Sequence, residues 1–415
     1  MRSAEFYRSF RKALLCASIV AVAPCAAGAQ TAGITVYEGA LLIDGRGGAP
    51  IENATVVVDG AKIVAVGKSG EVQLPAGANR LSLAGKIIMP MMIDAHVHLS
   101  QSREGIVRDL KRRAWFGVST VFSAGTDKYE NLDLRTKIEP GSATFQSAGR
   151  GITMPEPGRI NVPHWINDEA EGRKVVQELA SQKVDMVKVW VDSRDGKFKK
   201  VSPEIYAAII DEAHKRNLRV MAHIFEMEDA KGLIKAGVDV FAHGIRDREI
   251  DDEMVALFKS KPGIVLTPNL PDRGVKVDMS WKKGGVPADE FAKLDAQNVD
   301  SPKLQAFHAI QARNLAKLNA AGVKIALATD GNRPWGPHDE MEDMVLAGLT
   351  PMQALLAATR NSAEVLRLAD RGTIEAGKSA DLLVLDANPL DDIKNTRRIS
   401  QVVLRGEAVD RSKTP

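Results

Sequence analysis

The stretch Ile87-Ile88-Met89-Pro90-Met91-Met92-Ile93-Asp94-Ala95-His96-Val97-His98-Leu99 joins an apolar run directly to two histidines that are separated by one residue. Side chains at positions i and i+2 of a β-strand point to the same face, so both imidazoles can reach one ion at the end of a buried strand. A single His-x-His pair arises by chance in many chains and carries little weight alone. A metal site here therefore requires further ligands from the rest of the chain.

Four more candidate ligands follow, each at or near the end of a short apolar run: Lys188, His223, His243 and Asp330. Between the two middle histidines, residues 227–236 have the pattern of a helix that Gly237 ends, which makes one strand–helix–strand step. The two strands of such a step are parallel neighbours in a sheet. We therefore expect His223 and His243 to lie side by side.

Short apolar runs alternate with stretches of helical periodicity between residues 88 and 369, which is the pattern of a parallel α/β fold. Residues 203–217 are one such helix, because apolar side chains recur there at helical spacing. Eight strand candidates lie at residues 88–93, 119–124, 143–148, 186–191, 219–223, 238–243, 263–269 and 324–330. A closed (β/α)8 TIM barrel has eight strands and carries its active site at their C-terminal ends. The candidate ligands fall at or near such ends, on strands one, four, five, six and eight.

The two ends of the chain have a different pattern. Residues 34–86 contain short strand patterns separated by Gly and Asp-Gly turns, and residues 381–409 resume that pattern. We expect these segments to form one small β-sandwich domain from residues 30–87 and 370–415, beside a barrel of residues 88–369.

Residues 1–29 differ in composition from the rest of the chain. Four basic residues precede an apolar stretch at residues 13–23, and small residues at 27–29 are suited to cleavage. The apolar stretch is too short to span a bilayer, so the pattern predicts a secretory signal peptide. The alternative is a buried first helix. We therefore expect an exported protein, either periplasmic or secreted.

Cleavage would limit the chemistry open to the mature chain. Both cysteines, Cys16 and Cys25, lie inside the signal, so no thiol would remain for a disulfide or a metal. A lipoprotein anchored through Cys25 is disfavoured, because Pro24 stands where such sites need a small residue. Cleavage also brings the basic and acidic side chains into balance, which leaves no positive field for nucleic acid or an anionic membrane.

The chain resembles the amidohydrolase superfamily, in particular the binuclear metal-dependent hydrolases related to imidazolonepropionase and the zinc-dependent dipeptidases. The resemblance lies in the order and spacing of the six candidate ligands. It extends to Ala347-Gly348-Leu349-Thr350-Pro351 and to the C-terminal pattern Gly372-Thr373-Ile374-Glu375-Ala376-Gly377, and so covers nearly the whole mature chain. Met91-Met92 departs from the Gly-Leu pair usual in the family, which puts no ligand in doubt.

The resemblance implies a site for two divalent metal ions. Zinc is the first expectation, because neutral imidazole and carboxylate suit a borderline divalent ion. In the family's order, the ligands of one ion would be His96, His98 and Asp330, and those of the other would be His223 and His243. A hydroxide that bridges the ions would be the nucleophile. Asp330 would accept the proton of this hydroxide and pass it to the leaving nitrogen.

Lys188 is the unusual member of this set. A protonated ammonium has no lone pair and repels a dication, so an ordinary lysine cannot be a ligand. The resemblance implies that carbon dioxide carboxylates Lys188 to a carbamate, whose two oxygens bridge the metal ions. The alternative is an unmodified lysine that pairs with a carboxylate.

Three further residues are candidate substrate contacts. His164 and His338 lie in loops that we expect over the barrel mouth, where substrate-binding residues are commonly found. Arg246 could hold a substrate carboxylate by two hydrogen bonds. It could equally pair with the nearby Asp247 or Glu249.

Residues 271–301 form a segment, here called the outer segment, that is longer than a typical connection. Since it follows strand seven on the catalytic side, it could be a lid. The alternative is a surface insertion with its own helix near residues 288–296.

The complete ligand set predicts an exported hydrolase of carbon–nitrogen bonds in small molecules, either a dipeptidase or an N-acyl amino acid amidohydrolase. A hydrolase of lactones, esters or xenobiotic amides would use the same nucleophile and differ in its pocket. A non-catalytic binding protein would be expected to have lost a ligand, and none is lost here. We expect no nucleic-acid partner and no membrane partner after signal cleavage, and a homo-oligomer is compatible with the sequence.

Overall fold

A computed structural model of the protein describes residues 33–159 and 161–413. The predicted signal peptide, residues 1–29, lies outside the described residues. Among the helices that are described, none has both the length and the apolar composition needed to cross a membrane.

The elements follow one another in the order that strand and helix periodicity predicts. The described strands are β1 Ile34–Leu42, β2 Ile51–Asp59, β3 Lys62–Lys68, β4 Asn79–Ser82, β5 Ile87–Pro90, β6 Met92–Val97, β7 Val118–Ser123, β8 Thr144–Ser147, β9 Ile152–Thr153, β10 His164–Trp165, β11 Val187–Trp190, β12 Val220–His223, β13 Val240–Ala242, β14 Val265–Thr267, β15 Lys324–Ile325, β16 Leu382–Leu385, β17 Ile399–Leu404 and β18 Glu407–Ala408. The described α-helices are α1 Arg103–Trp115, α2 Glu169–Ser181, α3 Pro203–Lys215, α4 Met227–Ala236, α5 Asp252–Ser260, α6 Ala288–Gln297, α7 Pro302–Ala320, α8 Gly336–Leu346, α9 Pro351–Leu356 and α10 Ser362–Val365.

Both ends of the chain contribute to one eight-stranded sheet. Its strand order is β18-β17-β16-β5-β1-β2-β3, and β4 pairs with β1 off this path. Strand β5 pairs parallel with β1 and antiparallel with β16, so the N-terminal and C-terminal segments meet at β5. Apolar side chains of both segments, including Val56, Ile88 and Val384, share one buried cluster. The predicted association of the two ends is therefore present in the sheet.

Two parallel sheets occupy the middle of the chain. One has seven strands in the order β10-β9-β11-β12-β13-β14-β15, and the other has three in the order β6-β7-β8. Backbone hydrogen bonds link them on both sides, from Ala95 N to Leu327 O (2.9 Å) and from Asp185 N to Ser147 O (3.0 Å). The protein therefore has an α/β fold with parallel strands and intervening helices, which is consistent with a TIM barrel.

Helix α4 illustrates how the sequence positions the strand ends. Its buried residues Met227, Ala230, Leu233 and Ile234 recur at helical spacing and pack toward the sheet. Gly237 ends the helix with a φ of 92°, a left-handed conformation that costs glycine little. The chain then returns as β13 beside β12, as the sequence predicts.

The prediction of one continuous first barrel strand at residues 88–93 is wrong, because two strands of different sheets lie there. Strand β5 ends at Pro90 in the terminal sheet, and β6 begins at Met92 in a parallel sheet. Met91 N donates to Asp381 O (3.1 Å), whereas Met92 N donates to Gly117 O (2.9 Å), so the backbone changes its partner within one residue. Both methionines are fully buried, and hydropathy therefore contains no sign of the boundary. Each of the other seven predicted strands overlaps an observed one.

Candidate metal centre

The two histidines of the His-x-His pair lie close together, as the strand geometry predicts. His96 is in β6 and His98 follows the strand by one residue. Their Nε2 atoms are 3.3 Å apart. The hydroxyl of Thr126 lies 3.1 Å from His98 Nδ1, and it orients that ring so that Nε2 faces His96.

Asp330 brings a carboxylate to the same place from the far end of the chain. Its Oδ1 lies 3.3 Å from His96 Nε2 and 3.2 Å from His98 Nε2, and its Oδ2 lies 3.4 Å from His243 Nε2. Ligand atoms at zinc–ligand distances of about 2.1 Å in a tetrahedron are about 3.4 Å apart. His96, His243 and Asp330 offer atoms that all lie within 4.8 Å of one another. The spacing therefore matches that of atoms around a single ion.

The protonation of this cluster also suits a cation. Burial lowers the pKa of His96 and of His243 well below that of free histidine, so both rings are neutral and carry a lone pair. His243 Nε2 is buried, and no described residue hydrogen-bonds to it. A buried ring nitrogen without a hydrogen-bond partner is rare in folded proteins and fits a position that a metal ion completes.

The backbone is unusual at these positions. His243, Asn269 and Asp330 have φ values of 79°, 47° and 50°, and they follow the three successive strands β13, β14 and β15. Residues other than glycine rarely adopt this left-handed backbone conformation, which recurs at functional sites. The turns thus aim side chains of neighbouring strands toward a shared point.

Lys188 lies in β11 with its side chain fully buried. Its Nζ is 3.1 Å from His96 Nε2, and the ring of Trp190 covers it at 5.4 Å. Burial lowers the pKa of Lys188 to about 7. No ion pair joins its Nζ to a carboxylate of the described residues, although the nearby charge of Asp330 opposes the effect of burial. An unmodified lysine stays the alternative to a carboxylated one.

His223 and His243 end up side by side, with ring centroids 4.6 Å apart, as the strand–helix–strand step predicts. His223 Nε2 lies 2.9 Å from Asp192 Oδ2. Burial lowers the pKa of His223 to about 4, so its ring is neutral, and the tautomer with the proton on Nε2 donates a hydrogen bond to this carboxylate. Its Nδ1 therefore keeps the lone pair that a metal ion needs.

A cavity of about 630 Å³ opens next to this cluster. Asp330, Thr329, Asn269 and Arg246 line it next to the candidate ligands. The other lining side chains come from the outer segment, from the start of α7, and from the chain after Asp330 into α8. Its volume falls within the usual range of small-molecule sites.

Arg246 lines this cavity next to the candidate ligands. One guanidinium nitrogen of Arg246 is 2.7 Å from His243 Nδ1, and Nε donates to Gln311 Oε1 at 3.2 Å. The alternative partners are occupied by other residues, since Asp247 pairs with Arg248 and Glu249 with Arg313. Arg246 is therefore positioned to meet a molecule in the cavity.

Comparison with known proteins decides the family of the chain. The model of the amidohydrolase family matches residues 87–409. The chain belongs to the amidohydrolase family.

Relatives of this amidohydrolase are enzymes that match most of its length. It is 27% identical to ochratoxinase from Aspergillus niger over 89% of this chain and 84% of that protein. It is 24% identical to imidazolonepropionase from Shouchella clausii over 85% of this chain and 83% of that protein. A prolidase-like protein from Bifidobacterium longum superimposes with a TM-score of 0.76 at 28% identity, covering 92% and 96% of the two chains.

These comparisons confirm the family and the enzyme class expected from the sequence. The amidohydrolase is an enzyme, a metal-dependent hydrolase of carbon–nitrogen bonds in small molecules. The alternative of a non-catalytic binding protein is therefore set aside. The family uses divalent metal ions, and the imidazoles and carboxylate described above are suitable donors for them.

His338 is not in a loop over the cavity, and its predicted contact with substrate is wrong. It lies in α8 and is 1% exposed. Its Nε2 hydrogen-bonds to Phe116 O (2.9 Å) and its Nδ1 lies 3.0 Å from the Thr396 hydroxyl, so both ring nitrogens are engaged. Helix α8 begins at Gly336, immediately after the loop, and turns the ring into the protein.

His164 is also held away from the metal centre. It forms part of β10, at the edge of the seven-stranded sheet. Its Nε2 lies 2.8 Å from the Tyr129 hydroxyl and 3.5 Å from Glu178 on α2. The contacts described for His164 join it to the outer helix layer and not to the candidate ligands.

Sequence reasoning missed Asp192, which lies in the loop after β11. Asp192 accepts hydrogen bonds from His223, from Arg194 N at 2.7 Å and from the Arg194 side chain at 2.6 Å. Its only sequence signal is its position directly after the end of the strand predicted at residues 186–191, on the catalytic side. Carboxylates that orient a metal-binding histidine in this way are common.

Replacing Asp192 with asparagine should weaken metal binding by about 10- to 100-fold, because the ring of His223 loses its anionic partner. Competition with a fluorescent chelator would measure the affinity. Asp195→Asn is the matched control, because Asp195 is an exposed residue of the same loop. Equal affinities for the two variants would contradict this role.

Proposed function

We propose that this amidohydrolase binds two divalent metal ions, zinc in the first instance, and hydrolyses small amides as a dipeptidase or N-acyl amino acid amidohydrolase. The observation that carries the proposal is the convergence of His96, His98, His243 and Asp330 on one point at the strand ends, beside a cavity. His223 lies next to His243, with its Nδ1 free to bind a second ion. Lys188 Nζ lies 3.1 Å from His96 Nε2.

Lys188 is proposed to be carboxylated, so that the oxygens of its carbamate would be ligands for the metal ions. Support comes from its full burial and from its 3.1 Å contact with a candidate ligand. An amine in this position can contribute ligand oxygens only after carboxylation, since the ammonium form would repel the ions.

Bound divalent ions would supply a Lewis acid for the substrate carbonyl and an activated water molecule at neutral pH. Asp330 lines the cavity, and although burial alone would raise its pKa, the neighbouring histidines, including a hydrogen bond from His98, hold that pKa well below its usual value. It is proposed to take a proton from the attacking water and to pass it to the leaving nitrogen. Arg246 is proposed to hold a substrate carboxylate in the same cavity.

The name of one relative favours a second candidate. Ochratoxinase covers most of the chain, which is compatible with hydrolysis of a xenobiotic amide on the same site. A lactone or ester hydrolase would use the same ligands and water. These candidates differ from the first in the pocket, not in the metal centre.

The architecture is proposed to be a closed (β/α)8 barrel of residues 88–369 beside a β-sandwich domain of residues 30–87 and 370–415. Backbone bonds at both junctions of the two parallel sheets support closure of the barrel. Export to the periplasm or the medium is proposed from residues 1–29, and association into a homo-oligomer is compatible with the proposal.

Turnover of a library of dipeptides and N-acyl amino acids by the zinc-loaded protein tests the proposed function. Release of free amino groups from at least one substrate class is expected, and dialysis against a chelator should abolish it. Activity confined to lactones, esters or aryl amides would select the second candidate. Turnover that persists after complete metal removal would overturn the proposal.

A further inference from the structure

Three partly exposed apolar side chains border the cavity of the metal centre. Val275, Val299 and Leu304 are 38%, 59% and 38% exposed. All three line the same cavity as Asp330. Large apolar side chains that cluster at a cavity, in contrast to scattered ones, mark a binding surface. We call these three residues the apolar rim.

The apolar rim continues inward along the outer segment. Val277, Met279 and Leu294 line the cavity as well, so six apolar side chains of residues 275–304 line it, interspersed with polar ones such as Arg273 and Lys282. Arg246 and Asp330 line the same cavity beside the candidate ligands. The cavity therefore brings a group of apolar side chains together with the candidate metal centre.

Hydrogen bonds hold the apolar rim in place. Gly274 O accepts from Ser301 N at 2.7 Å and from Gln305 Nε2 at 2.9 Å, which ties the start of the outer segment to its end. Val277 N and O bond to the side chain of Asn298 at 2.9 and 2.7 Å. The two arms of the outer segment that carry Val275 and Val299 are thus joined side by side.

The middle of the outer segment is anchored separately. Lys282 Nζ lies 2.8 Å from Asp339 on α8 and 5.2 Å from the ring centroids of Trp281 and Trp335. The outer segment was expected to be either a lid or a surface insertion with its own helix, and the presence of α6 agrees with the insertion. Its lining side chains make it a preformed wall of the site.

We propose that the apolar rim binds a hydrophobic group of the substrate, so that the enzyme prefers amides with a long alkyl or an aryl group on one side of the scissile bond. This inference rests on the proposed function, which places the scissile bond at Asp330. Apolar surface that leaves water on binding increases the affinity roughly in proportion to its area. Binding to a surface that is already ordered costs little conformational entropy of the protein.

Two substrate ladders test the inference. One is N-acetyl-, N-hexanoyl- and N-decanoylglycine, and the other is the N-acetyl derivatives of glycine, leucine and phenylalanine. We expect kcat/KM to rise at least about tenfold along one ladder, since each methylene in an apolar site contributes several-fold. The ladder that rises identifies which side of the amide meets the apolar rim. Equal kcat/KM values along both ladders would overturn the inference.

Polar variants locate the effect. Val299→Ser and Val275→Ser should each lower the ratio of kcat/KM for the largest over the smallest substrate at least about threefold, because a hydroxyl replaces an apolar contact. Val64→Ser is the matched control, because Val64 is 46% exposed on β3 and does not line the cavity. If Val299→Ser separates subunits in size-exclusion chromatography without changing the ratio, Val299 belongs to a subunit interface and the inference is wrong.

A binding measurement separates failure of this inference from failure of the proposed function. Calorimetry of N-decanoylglycine and N-acetylglycine with the Asp330→Asn variant does not depend on turnover. Tighter binding of the longer ligand, with a more negative heat-capacity change, is expected for apolar burial. Selective binding without any hydrolysis by the unmodified enzyme would keep the apolar rim and overturn only the proposed function. Equal binding of both ligands would overturn the inference.

Discussion

Asp330→Asn is expected to lower kcat by about 100- to 10,000-fold, the usual contribution of a positioned acid–base group. Asparagine keeps the shape and one oxygen of the side chain but cannot accept a proton at neutral pH. Asp330 Oδ1 lies 3.2 Å from His98 Nε2 and its Oδ2 lies 3.4 Å from His243 Nε2, so it touches both sides of the cluster. Most of the metal should remain, because the four histidines are unchanged. Steady-state kinetics and metal analysis on the same preparation would measure both effects.

The control for this variant is Asp289→Asn, since the Asp289 side chain is 79% exposed on α6 and far more accessible than Asp330. Its kcat and metal content should equal those of the unmodified enzyme. A near-normal kcat for Asp330→Asn would contradict the proposed proton transfer. Loss of most of the metal would show that the Asp330 carboxylate is essential for holding the ion, and the fall in kcat would then not measure proton transfer.

Lys188→Ala should remove at least one metal ion per chain and lower kcat/KM by roughly 1,000-fold, because bound metal ions contribute several kcal/mol to such reactions. The substitution removes the carbamate and leaves a space beside His96, where Nζ stood 3.1 Å from the ring. Formate or acetate offers two oxygens and is small enough for such a space. Either anion should therefore restore part of the activity and part of the metal content of this variant.

Carboxylation itself can be observed in the unmodified enzyme. Reconstitution with zinc should proceed faster or further with added bicarbonate, and mass spectrometry under native conditions should find the mass of one added carbon dioxide. Lys259→Ala is the control, because Lys259 is exposed near the end of α5. Full metal content in Lys188→Ala, with no response to bicarbonate in the unmodified enzyme, would show that Lys188 is an ordinary lysine.

Local patterns in the sequence predict most of what positions the metal centre. Strand periodicity and a His-x-His pair place His96 and His98 on one face, and the helix between His223 and His243 makes those residues neighbours. Each of these inferences needs only the geometry of a strand or of one strand–helix–strand step. The identity of Lys188 as part of the same site came from the resemblance to a family, since its chemistry as a free lysine argues against ligation.

Other features depend on contacts between distant segments, and only the tertiary structure decides them. The backbone changes sheets at Met91 because Asp381 O and Gly117 O lie on either side of it, and these residues are far away in the sequence. The role of Asp192 depends on the contact of its carboxylate, in the loop after β11, with His223 at the end of the neighbouring strand β12. Hydropathy and spacing contain no information about such pairings.

The same distinction applies to the substrate side of the molecule. His338 and the apolar rim both belong to stretches of sequence that follow barrel strands on the catalytic side. The structure buries His338 against Phe116 and Thr396. It leaves Val275 and Val299 partly exposed in the lining of the cavity. From the sequence alone come the α/β fold class, the candidate ligands and the chemistry that imidazole and carboxylate permit. Which side chains face the cavity follows only from the folded chain, because the lining depends on how loops and helices from different strand–helix units pack together.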